Sequence, residues 1–375
     1  MLKVAIVGCG KIADTHASLI QRIKGCEIVG VCDSEPLMAC QLYERFPVKR
    51  YFGDLKELLS VAKPDVVHIT TPPESHFSIA KFCLESGCHV YVEKPFTVYE
   101  DEAQRLIALA NERCLKITVG HDIQFSHAAR HMRSLVHSGF LGNGPVHMES
   151  HYCYEFGQAY ARAVLGDPRH WVRRLPGKLL HNVISHGIAR ITEFLTSDSP
   201  QVIAHGFVSP FLRGLGESEI VDELRVVISE EARTTAYFTF SSQMRPAINQ
   251  FRIYGTQNGL VLDQDQETLI RLRGARFKSY AEKFVPPVVF AQQYLGNLAT
   301  NARSFLARDF HMKSGMTHLV EAFYLSIMED APVPIPYQEI LLTVRIMDAI
   351  FAQLGTNRSE IQHSDQSPLQ AAVSG

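Results

Sequence analysis

KVAIVGCGKIA, residues 3–13, decides how the first part of this chain reads. The run KVAIVG is short, apolar and rich in β-formers, as a buried strand is. GCGKIA follows at once and contains Gly8, Gly10 and Ala13 in the pattern G-x-G-x-x-A. Two glycines allow a tight turn and close approach of the backbone to a pyrophosphate, and Ala13 lets the next helix pack closely on the sheet. The phosphates would sit on the N-terminus of that helix, which Lys11 and Ile12 open. A flavodoxin-like turn that binds no dinucleotide has the same local look, so the flanking sequence must decide.

Outward from the motif the pattern repeats. EIVGVCD (27–33), DVVHITT (65–71), HVYVE (89–93) and LKITVG (115–120) are further short apolar runs. Helical stretches separate them. Asp54 and Glu57 make a capping-box pattern, SHFSIAKFCLESG closes at Gly87, and EDEAQRLIALANER starts acidic and ends basic. Alternating strand and helix predicts a parallel, doubly wound sheet. Asp33 ends the second strand, placed to bond both ribose hydroxyls of NAD. It would repel a 2′-phosphate, and Ser34, Glu35 and Pro36 bring no arginine, so NAD is expected over NADP. TTPPESH (70–76) forms a loop at the same sheet edge. There Thr71 and Pro72 are expected on the nicotinamide side, and His76 either caps and packs or touches the cofactor.

YVEKPF (91–96) raises a separate point. A buried strand runs straight into Glu93 and Lys94, which are costly to bury unless used. Pro95 stops the strand and restricts Lys94 to extended geometry. That pins a lysine at the carboxyl edge of the sheet, where open α/β sheets bind ligands.

In this order and spacing, GCGKIA, DVVHITTPPESH and VEKPF resemble the Gfo/Idh/MocA oxidoreductases, which include glucose–fructose oxidoreductase and inositol dehydrogenase. The match is dense over the first 125 or so residues and loose beyond. The resemblance implies a Rossmann domain followed by an α+β domain with a large, open, mainly antiparallel sheet. It implies hydride transfer between a nicotinamide and a sugar or cyclitol carbon. It also implies that Lys94 faces nicotinamide and substrate, and that the bond before Pro95 is cis. The alternative for Lys94 is a salt bridge with Glu93 or a neighbour.

The expected domains are 1–124, which binds the dinucleotide, and 125–355, for substrate and oligomerisation, with a mobile tail at 356–375. The second domain holds strands at regular spacing, from GPVHMESHYCYEF through QVIAHGFVS, DELRVVIS, RTTAYFTFSS, NQFRIYG and GLVLDQD to ETLIRLRG. They read as an antiparallel meander, one face on helices and the other free to pair in a homodimer or homotetramer. FAQQYLGNLATNARSFL (290–306) and two later segments read as packing helices.

KLLHNVISHGIARITEFL (178–195), set on one helix, places Ile184, Ile188, Ile191 and Leu195 on one face. Asn182, His186, Ala189, Arg190 and Glu193 fall on the other, so Asn182 and His186 can meet. An unperturbed imidazole titrates near neutrality, so His186 suits a general base, Asn182 would orient it or bond a hydroxyl, and Lys94 would stabilise the developing alkoxide. The family usually has Asp where Asn182 and Ala189 stand, and Gly at Ile184. Some of its nucleotide-sugar dehydrogenases carry Asn at the first position. The stripe is otherwise a solvated helix face. Upstream, Arg169, Trp171, Arg173, Arg174 and Lys178 form either a solvated basic loop or a clamp for an anionic sugar. Tyr152, Tyr154 and Tyr160 are sugar-facing or packing residues, and Arg190 is a further substrate candidate.

Composition narrows the classes. The 375 residues are 46 % apolar and 20 % charged, with a formal net charge of −2, an ordinary globular balance with no basic excess for nucleic acid. No run is long enough for a membrane span, and the first residues lack a signal-peptide pattern. The eight cysteines form no CxxC pair and read as reduced thiols of a cytoplasmic protein. There is no HExxH zinc motif and no GxSxG elbow, and no metal site is expected. The readings left are an NAD-dependent sugar or nucleotide-sugar dehydrogenase, a redox-neutral enzyme that retains NAD, and a decayed NAD-binding regulator.

Overall fold

The computed structural model of the chain describes residues 1–155, 159–231, 233–274, 277–278, 280–307, 309–310 and 314–364, without the side chains at 159–161 and 356–364. The Tyr160 side chain and residues 365–375 of the expected tail therefore lie outside the described parts.

The chain begins β1 (Leu2–Val7), α1 (Lys11–Ile20), β2 (Cys26–Cys32), α2 (Pro36–Arg45), β3 (Tyr51–Phe52), α3 (Leu55–Ala62), β4 (Val66–Ile69), α4 (His76–Glu85), β5 (His89–Val92), α5 (Glu100–Glu112) and β6 (Ile117–Val119). These six strands form one sheet, ordered β3-β2-β1-β4-β5-β6, with every pairing parallel. This is the doubly wound order, with the chain reversing direction between β1 and β4. Helices cover both faces, so the strands are apolar throughout, and Val4, Ala5, Ile6, Val66, Val67, Ile69, Val90 and Val92 are fully buried.

The chain continues through α6 (His127–His137), β7 (Pro145–Tyr152), α7 (Ala159–Gly166), α8 (Lys178–Val183), α9 (Ser185–Thr192), β8 (Gln201–Phe207), α10 (Pro210–Gly214), β9 (Glu223–Ser229), β10 (Thr235–Ser241), β11 (Asn249–Gly255), β12 (Asn258–Asp263), β13 (Thr268–Arg273), α11 (Ala281–Leu306), α12 (Ser314–Met328) and α13 (Tyr337–Ser364). A second sheet has the order β13-β12-β11-β7-β10-β9-β8. It is mainly antiparallel but no simple meander. The first strand, β7, enters the middle, parallel to β10 and antiparallel to β11. Its inner face packs on α9 and α13. On the outer face Ile203, Val227 and Tyr237 stand side by side across three strands, all exposed.

Two further features depart from the sequence reading. α13 continues to Ser364, so the segment expected to start the tail is helical through its first nine residues. And the first core is completed from the far end of the chain. Met316, Leu319, Val320, Phe323 and Tyr324 of α12, with Ile340 and Val344 of α13, pack among the residues of the parallel sheet. Lys116 Nζ donates to the carbonyls of Ser326 and Ala331, both at 2.6 Å, and Arg345 binds Glu100. All eight cysteines are free thiols. Among the described residues no helix is long and apolar enough to cross a membrane.

Candidate active site

The dinucleotide loop has the geometry its sequence asks for. Gly8 sits at φ +96°, and a Cβ there would lie 2.7 Å from Thr71 atoms, so neither its backbone nor its space admits a side chain. Gly10 caps α1 in extended geometry, and Ala13 is fully buried beneath. Asp33 is held by two backbone donors, Cys9 N at 2.7 Å and Glu35 N at 2.9 Å, which fix its carboxylate at the carboxyl edge of the sheet. Thr71 is half-buried, accepting from Ser75 Oγ at 2.7 Å, and Pro72 is exposed.

His76 packs, one of the two roles open to it. It is fully buried, with Nδ1 2.9 Å from the Pro95 carbonyl and Nε2 2.9 Å from the Thr71 carbonyl. A ring enclosed in this way braces two loops of the site.

β5 and β6 are parallel neighbours, with Val92 opposite Val119. The residues after each strand therefore emerge together: Glu93 and Lys94 from one, His121 and Asp122 from the other. The Lys94–Pro95 bond is cis. Lys94 Nζ donates to the backbone carbonyl of Asn182 at 2.9 Å. That bond joins the sheet edge to the helical segment carrying His186. Lys94 is thus not merely paired with Glu93, whose Oε1 lies 2.9 Å from His16 Nε2 and whose Oε2 accepts from the Lys94 amide at 3.2 Å.

The segment 178–195 is not one helix. It breaks at Ile184 into α8 and α9, and every residue of α9 from Ser185 to Thr192 is buried. The expected polar face does not meet solvent, because α9 lies between the second sheet, α13 and the turn at Asp122–Phe125. Gly187 permits this: a Cβ would come 2.3 Å from Phe238 and 3.0 Å from Tyr152. His186, 8 % exposed, has Nε2 3.8 Å from Asp122 Oδ1. Its ring centroid lies 6.0 Å from that of His121 and 6.0 Å from that of Tyr152. Burial and the Lys94 charge depress the His121 pKa to about 3, so it is a neutral imidazole, and its Nε2 is buried with no hydrogen-bond partner among the described residues.

The substrate candidates are placed differently from expectation. Arg190 is buried, donating to Asn249 Oδ1 at 3.0 Å, His151 O at 3.2 Å and Ser150 Oγ at 3.3 Å, and so ties α9 to β7 and β11. Burial lowers its pKa to about 10. Arg173 pairs with Glu217 at 2.7 Å, Arg174 forks onto Glu74 at 2.8 and 2.6 Å, and Lys178 pairs with Glu219. These three cations of the basic loop are thus paired with carboxylates that sequence distance hides. Trp171 packs half-buried against the second core, as do Tyr152 and Tyr154. His121 and Asp122 were missed. The signal available for them was the one that marks Lys94, polar residues directly after a parallel strand.

A cavity of about 600 Å³ lies elsewhere, between α6, β13 and α11, and is lined by Glu267, Arg271 and Phe290 among others. It shares no residue with the Lys94–His186 cluster.

Residues 2–121 match the GFO_IDH_MocA family model, an oxidoreductase family with an NAD-binding Rossmann fold. The resemblance carried by GCGKIA, DVVHITTPPESH and VEKPF is borne out, with NAD as the cofactor of this fold. Over 142 residues the chain is 32 % identical to D-glucoside 3-dehydrogenase of Escherichia coli, covering 38 % of this chain and 40 % of that one. Over 132 residues it is 31 % identical to UDP-N-acetylglucosamine 3-dehydrogenase of Acidithiobacillus ferrooxidans, covering 35 % and 41 %. The matched stretch thus spans about two fifths of these relatives. An NAD binding oxidoreductase from Klebsiella pneumoniae shares the whole fold at 19 % identity, with a TM-score of 0.76 over 95 % of this chain and 97 % of that one.

Proposed function

We propose that the protein is an NAD-dependent dehydrogenase acting on a CH–OH carbon of a sugar, with nucleotide sugars the first substrates to try. The observation that carries this reading is the Lys94 to Asn182 contact at 2.9 Å. It draws a cationic lysine at the nicotinamide edge of the Rossmann sheet to the segment that holds His186. NAD, held by the Gly8–Gly10 turn and Asp33, would supply the hydride acceptor as the substrate C–H bond breaks and the carbonyl forms. The hydroxyl proton goes to His186, with Asp122 beside it to favour the imidazolium. Lys94 stabilises the charge growing on the oxygen, and neutral His121 is a further hydrogen-bonding group. Asn182 positions Lys94 through its backbone. Asp33, fixed by two amides, disfavours the 2′-phosphate of NADP. The exposed row Ile203, Val227 and Tyr237 suits a second copy of the chain, so the working form is a homo-oligomer joined through this sheet.

The test is nicotinamide absorbance on purified protein with NAD and a panel of UDP-sugars, UDP-uronates, free sugars and inositols. NADH formed with one class, and lost in Lys94→Ala and His186→Ala, supports the reading. Bound NAD with no NADH from any compound overturns it in favour of a redox-neutral enzyme or a regulator.

A further inference from the structure

β4 is a central strand of a parallel sheet, and three of its four residues are fully buried aliphatics. The fourth, His68, is equally buried. Both of its nitrogens are used. Nε2 lies 2.8 Å from the Tyr324 hydroxyl on α12, and Nδ1 lies 2.7 Å from Nδ1 of His16 on α1. His16 in turn places Nε2 2.9 Å from Glu93 Oε1. Tyr91 stacks flat on His68, with ring centroids 4.7 Å apart. His16, His68 and Tyr324 are all fully buried, so a continuous polar chain crosses the core and ends on the residue before Lys94.

The partners fix the protons. Two imidazole nitrogens 2.7 Å apart share one hydrogen, and charging adjacent rings in a core is costly. Tyr324 donates to His68 Nε2, so His68 carries its proton on Nδ1 and gives it to His16. His16 then carries its proton on Nε2 and gives it to Glu93. Every donor points towards Glu93, which must accept as a carboxylate. The reverse order needs a protonated Glu93 and both rings in the other tautomer. It also strands the Tyr324 hydrogen, since among the described residues that hydroxyl has only His68 as partner.

Resting on the dehydrogenase reading of Lys94, we propose that His16, His68 and Tyr324 are positioning residues that hold the Glu93 carboxylate ionised beside Lys94, keeping the ammonium charged and in place. Around Glu93 stand His16 from α1, Lys94 of its own loop, Tyr91 of β5, His121 after β6 and His76 of α4. Burial alone would raise the Glu93 carboxyl, but the hydrogen bond to His16 and the charge of Lys94 hold it below its ordinary value.

The test uses the NAD-loaded protein and does not need a substrate. Imidazole ¹⁵N spectra, assigned with His16→Gln and His68→Gln, should show both rings neutral, His16 protonated at Nε2 and His68 at Nδ1. The opposite tautomers, or a His68 ring that titrates near neutrality, would overturn the chain. Tyr324→Phe keeps the ring and removes the far hydrogen. It should raise the pH at which the Glu93 carboxyl ¹³C signal titrates, by about one unit. With a substrate in hand, kcat should fall while KM for NAD stays unchanged. A Tyr324→Phe protein that only melts earlier, with the Glu93 titration unmoved, reduces the chain to a structural role and sinks the proposal. Failure of the substrate panel would count against the dehydrogenase reading alone, because the tautomers and the Glu93 titration are read without turnover.

Discussion

At Lys94 the case rests on one charge at one edge. Replacing it by alanine should lower substrate-dependent NADH formation by about a hundredfold or more, while NAD affinity, measured by fluorescence quenching, stays within a fewfold. Lys94→Arg should not restore the rate, because a planar fork cannot take the place of a compact ammonium. Asp33 makes the complementary prediction for the cofactor. Asp33→Ala removes an acceptor of the ribose hydroxyls and should weaken NAD binding about tenfold, narrowing the preference over NADP; titration calorimetry with both nucleotides reads this. Much of the site was legible at this scale. Gly8, Asp33 and Lys94 are marked by local rules of turn, strand end and proline. The arginines were not, because Arg173 and Arg174 find Glu217 and Glu74 only through the tertiary fold. His16 and His68 escaped for a related reason: neither means anything until α1 is laid against β4.

Among the elements, the parallel strands were the easiest to read, since burial on both faces makes them uniformly apolar. β3 has two residues and leaves no periodicity to detect. α11 begins nine residues before its apolar pattern suggests, because Pro286 and Pro287 hide its first turns. The central place of β7 is a matter of topology, which alternation does not encode. α9 misled for a physical reason: a helix covered on all sides loses the amphipathic contrast that a helical wheel assumes. Its close seat on the sheet is testable. Gly187→Ala puts a methyl group against Phe238 and should cost about 1–3 kcal/mol of stability, read as a lower urea midpoint. It should also cut turnover by displacing the adjacent His186.

For the whole molecule, the junction between the two halves is titratable. Gln124 Nε2 donates to Glu193 at 2.9 Å and to Glu339 at 2.7 Å, and Arg133 pairs with Glu193. Burial, with the Glu193 charge next, raises the Glu339 carboxyl to about 7. The folded chain therefore keeps a proton that the unfolded chain has already lost. Stability from this group falls as pH rises from the ordinary carboxyl range to about 7. Glu339→Gln, which keeps the acceptor and removes the charge, should raise Tm at pH values above 7, by on the order of 1 kcal/mol in stability, and change little in mild acid. Melting curves across that range check both the sign and the window.

The return of α12 and α13 to the first sheet also sets an order of events during synthesis. The dinucleotide-binding part is translated before Phe323, Tyr324 and Val344, which close its core, can leave the ribosome. Until then the surface they cover stays wet, and His68 lacks the hydroxyl that orients its proton. The nucleotide site of the nascent chain is assembled in its backbone turns long before it is assembled in its charges.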